Sequence, residues 1–196
     1  MPALSSMQSI ADPVHLTLAC HPQTPARAIH GIDVAVGGAG TGILTLAFSL
    51  AGDLSGVRIP ESRSSLRRHG LWRHTCFEAF VMAGEGPGYH EFNFSPSSEW
   101  AACAFRGDRD GGELEVERAP GIVVCRTGDR LELEAGVRPD CLPPGRSLRL
   151  GLSAVVEDAD GVLSYWALRH PPGKPDFHHT DAFALDLVLP LSLIHI

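Results

Sequence analysis

The chain of 196 residues lacks the marks of several large functional classes. Its five cysteines, Cys20, Cys76, Cys103, Cys125 and Cys141, are odd in number, and no two are spaced Cys-x-x-Cys. A disulfide framework is therefore not indicated, and reduced thiols in a cytoplasmic setting are expected. Three of the five sit inside apolar runs, where cysteine acts as a small buried hydrophobe. No apolar stretch approaches the roughly 20 residues needed to span a bilayer. The first residues carry no basic segment followed by an apolar core, so neither a membrane association nor a signal peptide is expected. Runs of Lys or Arg are missing and the formal net charge is -7, which argues against a nucleic-acid partner. The one basic concentration, Arg63, Arg67, Arg68 and Arg73, reads as a solvated loop in so acidic a chain.

Catalytic signatures are missing too. The loop Gly37-Gly38-Ala39-Gly40-Thr41-Gly42 has neither the Lys-Ser/Thr ending of a nucleotide loop nor the Gly-x-Gly-x-x-Gly spacing. It leads into Ile43-Leu44-Thr45-Leu46-Ala47-Phe48, which reads as a strand, so a hairpin is expected there. No Gly-x-Ser-x-Gly elbow occurs. Ten histidines are present, yet none form His-Glu-x-x-His. His170, Asp176 and His178 have a spacing that permits a three-ligand metal site, with a hydrogen-bonded structural loop as the plainer alternative. No catalytic residue is assigned.

What the chain does have is a β pattern. It is 44% hydrophobic, with 21 glycines and 15 prolines, a composition suited to many short elements joined by turns. Alternating or apolar runs recur at 14–20, 32–36, 43–50, 76–82, 89–94, 100–105, 114–117, 122–126, 131–137, 148–156, 162–168 and 182–189. Thr127-Gly128-Asp129 and the segment from Glu157 to Gly161 read as hairpin turns. About eleven strands with almost no helical period predict an all-β, antiparallel β-sandwich of two sheets, jelly-roll-like. The domain is placed at 13–189. Residues 1–12 read as a flexible lead-in, and 190–196 as an apolar tail that is either a last edge strand or non-native. A single helical turn is expected between Arg63 and Trp72.

Two regions concentrate polar and aromatic groups. Late in the chain, Ser164-Tyr165-Trp166-Ala167-Leu168-Arg169-His170 runs into Pro171-Pro172-Gly173-Lys174-Pro175-Asp176-Phe177-His178, a stiffened loop on a strand, where binding groups tend to work. Upstream, Glu78 stands in the middle of an apolar strand, on one face with Cys76, Phe80 and Met82. A carboxylate there is costly unless paired. The next strand offers Tyr89, Glu91 and Asn93 on one face. One hairpin register sets Glu78 opposite Asn93 with Glu91 one pair away; the other sets it beside His90 and Phe92. Either Glu78 is a buried acid satisfied by Arg73 or a backbone group, or it belongs to a concave face that binds hydroxyls. Sugars suit such a face, with planar rings for their apolar sides and acids or amides for their hydroxyls. Trp72, Trp100 and Trp166 are the candidate platforms.

These blocks, Leu71-Trp72 with Thr75-Cys76-Phe77-Glu78, Glu91-Phe92-Asn93-Phe94-Ser95-Pro96-Ser97 with Trp100, and Ser164 to His170 with Pro175 to His178, resemble the bacterial DOMON-like proteins related to family 9 carbohydrate-binding modules. The resemblance runs from about residue 13 to 189. It implies a two-sheet β-sandwich in which Trp72 and Glu78 contact the ligand, with Trp166 or Phe177 as a second stacking ring. Haem-binding branches use a methionine and a histidine; with only Met1, Met7 and Met82 available, haem is disfavoured. The expectation is a non-catalytic binder of a saccharide or related polar small molecule through Trp72, Arg73, Glu78, Glu91, Asn93, Trp166, His170, Asp176 and His178. It needs no cofactor, with a structural metal ion as the variant. The alternatives are an enzyme using Glu78 and Glu91, or a metal, on a saccharide, and a haem redox domain. Ala101-Ala102-Cys103-Ala104-Phe105 departs from the aromatic-rich strand expected after Trp100.

Overall fold

A computed structural model describes residues 8–9, 12–38, 42–84 and 86–189. The expected tail at 190–196 lies outside them. Thirteen strands are described: β1 (Gln8–Ser9), β2 (Val14–Cys20), β3 (Ile29–Gly38), β4 (Leu44–Gly52), β5 (Cys76–Ala83), β6 (Tyr89–Phe94), β7 (Trp100–Gly107), β8 (Asp110–Glu113), β9 (Gly121–Thr127), β10 (Arg130–Val137), β11 (Ser147–Glu157), β12 (Leu163–Ala167) and β13 (Leu185–Val188). The run at 114–117 is not a strand; the partner of β7 lies just before it, at β8. Gln8 and Ser9, expected in the lead-in, pair in parallel with β13.

One layer runs β8-β7-β6-β5-β11-β12, with β13 beside the start of β11; the other runs β2-β3-β4-β10-β9. They are joined at one edge, where Trp166 and Ala167 of β12 pair with Cys20 and Ala19 of β2. Apart from β1, every pairing between strands is antiparallel. Strict alternation sends Leu44, Leu46, Phe48 and Leu50 inward from β4, and Phe77, Ala79 and Val81 inward from β5. The rings of Phe48 and Phe77 meet at 5.0 Å, so the two inner faces form one shared core, as in a sandwich.

Turn chemistry fits the sequence. Gly128 and Gly161 take φ of 49° and 85° in the β9–β10 and β11–β12 hairpins, a region that glycine enters without steric cost. The expected helical turn is a short 3-10 turn at Leu71–Arg73. In the basic cluster Arg63, Arg68 and Arg73 are exposed, as a solvated loop requires, whereas Arg67 is half-buried. Arg67 donates to the carbonyls of Ala102 and Leu114 and lies over the Trp100 ring at 4.6 Å, and Arg68 pairs with Glu99 at 3.0 Å. Among the described residues, no helix is long and apolar enough to cross a membrane.

Candidate ligand-binding cleft

The outer face of the first layer carries the site. On β5 the outward positions are Cys76, Glu78, Phe80 and Met82, and the register sets Glu78 against Asn93 and Phe80 against Glu91. The two acids therefore stand on adjacent strands, one pair apart. Across the sheet, Glu78 belongs to the row Ala167–Ser153–Glu78–Asn93–Ala101. Every neighbour in that row is small or short, so nothing tall stands beside the carboxylate. From β7 it is Cys103 and Phe105 that line the cleft, whereas Ala101 is buried against Leu71 and Cys76.

Larger groups rise around this low ground. The walls of a cleft of about 410 Å³ are Trp72, Glu78, Glu91, Cys103, Phe105, Arg109, Val155, Tyr165, Pro175, Asp176, Phe177 and His178. The 3-10 turn supplies Trp72, which is 43% exposed. β7, β11 and β12 supply outward-facing residues, and the loop after β12 folds back as the far wall. Phe80, Tyr165, Phe177 and Phe183 pack together as a second apolar cluster on this outer face, under that loop.

The far wall is braced. His170 Nε2 donates to the Ala19 carbonyl at 2.8 Å, and its ring packs near Phe177. Asp176 accepts from the His178 amide at 3.1 Å and from Arg109 at 2.9 Å. Arg109 sits at φ 53°, a left-handed conformation uncommon outside glycine that, when observed, is a pointer to functional sites. Its amide donates to the Tyr89 hydroxyl at 3.4 Å, and Tyr89 meets His178 Nδ1 at 2.7 Å. If Tyr89 donates, the second ring nitrogen carries the hydrogen and faces Glu91 at 3.8 Å.

Charge is poorly compensated at the cleft floor. Glu78 is 2% exposed; its Oε2 accepts one long bond from Ser153 at 3.4 Å and its Oε1 has no partner. Burial pushes its carboxyl well above the usual carboxylate range, and the nearby Glu91 pushes it further. Burial also raises Glu91, against the opposing pull of the Asn93 amide, which donates to it at 2.6 Å, and of Arg109. Burial, with Arg109 nearby, drives His178 down to about 4, so the ring is neutral at pH 7.

These shifts set a pH profile. An acid raised on folding holds its proton more tightly in the native state, so its contribution falls as pH rises past the unfolded value near 4.5. A histidine lowered on folding contributes less as pH falls from 6.5 towards 4. The two trends oppose one another between those values. Thermal melting followed across pH 3–9 is expected to show a broad maximum between about 4.5 and 6.5; stability still climbing above pH 7 would contradict the assignment.

Of the nine expected site residues, Trp72, Glu78, Glu91, Asp176 and His178 line this cleft. Four do not. Trp166 is 5% exposed and points into the core between the sheets, its Nε1 bonded to Ser164. Trp100 is likewise a core residue at 6%. Alternation along β12 turns Tyr165 outward instead, and Phe177, the other stacking candidate, is in the wall. Asn93 lies behind Glu91 as its donor, and His170 behind Phe177 as a brace. Arg73 does not reach Glu78; it lines a separate polar cleft with Arg58, Arg68, His74 and Glu157. His170, Asp176 and His178 do not converge as metal ligands: His170 Nε2 donates to the Ala19 carbonyl, Asp176 pairs with Arg109, and His178 Nδ1 meets the Tyr89 hydroxyl. No group of three or more His, Cys, Asp or Glu among the described residues could hold a metal ion. Met82 is packed in the outer cluster with Phe80 and Tyr89.

No family model matches the sequence, and no curated protein matches it. The solved structures do. A proposed carbohydrate-binding protein from Bacteroides uniformis superposes with a TM-score of 0.68 at 13% identity, covering 91% of this chain and 87% of that one. A family 9 carbohydrate-binding module from Caldicellulosiruptor kristjanssonii, in complex with glucose, gives 0.55 at 8% identity over 85% and 80% of the two chains. The same organism's family 9 module in complex with cellotriose gives 0.50 at 8% identity over 92% and 91%. The chain is therefore similar in fold to family 9 carbohydrate-binding modules over nearly its whole described length.

Proposed function

We propose that this protein is a non-catalytic saccharide-binding β-sandwich whose ligand occupies the cleft over Glu78. The observation that carries the reading is one cavity that brings Trp72, Phe105, Tyr165 and Phe177 together with Glu78, whose buried Oε1 lacks a partner. Trp72, Phe105, Tyr165 and Phe177 offer planar surfaces for the apolar face of a pyranose. Glu78, Glu91 and Asp176 accept from hydroxyls, and Arg109 donates. An unmade bond at a buried oxygen is expensive, and a hydroxyl entering the cleft removes that cost. The glucose and cellotriose held by the two structurally similar modules support the same ligand class.

Hydrolysis is the lesser reading. A glycosidase flanks the scissile bond with two carboxyls, one of them ionised as base or nucleophile. Glu78 and Glu91 rise from adjacent strands of one sheet face, and burial favours the protonated form of both. Neither arrangement suits that division of labour.

Trp72→Ala and Phe177→Ala are each expected to weaken saccharide binding by about 1–2 kcal/mol, the scale of one lost stacking contact. Titration calorimetry against glucose and cello-oligosaccharides measures this. Full affinity in both variants removes the cleft from consideration.

A further inference from the structure

Resting on the saccharide reading of this cleft, we infer that its preferred ligand carries a protonated amino group, as a hexosamine does, seated between Glu78 and Glu91. The cleft brings three carboxylates and one strong cation together. That cation, Arg109, is spent on Asp176 at 2.9 Å, which leaves the two floor acids without a cation of their own.

The elements packed around them bring few charged groups. From β5, Glu78 has Cys76 beside it, and from β11 it has Ser153. From β6, Glu91 has Asn93 and Tyr89; from β7 it has Cys103. The far wall brings His178, 3.8 Å from Glu91 and neutral at pH 7, and the β7–β8 turn brings Arg109. Only Arg109 among these is positive at pH 7. Glu78 Oε1 remains unpartnered at 2% exposure. An ammonium group supplies the missing donors and favours the ionised form of the two acids, which burial alone disfavours; hydrogen bonds with a charged partner are roughly twice as strong as neutral ones.

The rings point the same way. Phe105, Tyr165, Phe177 and Trp72 stand around the floor acids, and the negative faces of aromatic rings attract cations, most of all in a desolvated site. A neutral sugar uses the ring faces and the acceptors but leaves the two acids in the protonated form that burial favours.

The test is calorimetric titration of the full chain at pH 7 with glucosamine, glucose, N-acetylglucosamine and ethanolamine. Glucosamine is expected to bind about tenfold or more tightly than glucose or N-acetylglucosamine. That ratio is expected to fall towards one in Glu78→Gln and in Glu91→Gln, both checked for folding by melting. Glucose binding as well as glucosamine overturns this inference and leaves the saccharide reading intact. Ethanolamine binding as tightly as glucosamine overturns the inference as stated, since the sugar ring then adds nothing. No binding of any of the four overturns both readings.

Discussion

Replacing Phe77 with alanine is expected to lower the unfolding free energy by about 3–5 kcal/mol. Phe77 is fully buried near the start of β5 and faces inward, with the Phe48 ring 5.0 Å away on the opposite sheet. Both side chains belong to the single core cluster that joins the two layers. Removing one ring therefore loses its transfer free energy and leaves a cavity that two hydrogen-bonded sheets cannot collapse to fill. Urea unfolding followed by fluorescence reads the loss as a shift in midpoint. A cost below about 1 kcal/mol would mean that the sheets do not pack through this pair.

Glu78→Gln is expected to do the opposite while damaging function. The folded state holds a carboxyl in a place that disfavours its charge, because of burial first and Glu91 second. The stability this costs grows as pH rises above the unfolded value near 4.5 and stops growing once the folded carboxyl has ionised. Glutamine keeps the shape and removes the titration, so the variant gains in melting temperature at pH 8 and the gain fades below about pH 4.5. Ligand affinity falls in the same variant, since the acceptor at the cleft floor is changed. More stability with less binding is the pattern of a residue kept for function. A variant less stable than the parent at pH 8, with unchanged affinity, contradicts that role.

The fold was largely legible because its signal is local. Alternation in β4 and β10, the apolar run of β5 and the glycine turns at Gly128 and Gly161 specify strands and hairpins without tertiary information. The misread run at 114–117 shows the limit. Its apolar residues pack against the core without joining a ladder, and residue type alone does not separate those outcomes. The site was legible in part for the same reason. Glu78 declared itself as a charge in an apolar strand, and the loop from Pro171 to His178 by its rigidity. Trp166 drew notice as the largest ring of its strand, yet the same alternation that marks β12 turns Tyr165 to the cleft and Trp166 to the core. Arg109 and Phe105 gave no local signal. They enter the site because the β7–β8 turn meets the loop after β12, a contact of 67 residues in sequence between Arg109 and Asp176. Register, too, was undecided until the neighbouring strands were in place.

The most direct test of the saccharide cleft is a tryptophan-fluorescence titration of the whole protein against mono- and oligosaccharides, amino sugars and nucleotide sugars. Of the three tryptophans, Trp100 and Trp166 are 6% and 5% exposed and lie in the core, whereas Trp72 is 43% exposed at the cleft wall. A change in emission on adding ligand therefore reports on Trp72. A saturable change with at least one sugar, abolished in Trp72→Phe, is the expected result. A flat response across the panel would contradict saccharide binding in this cleft.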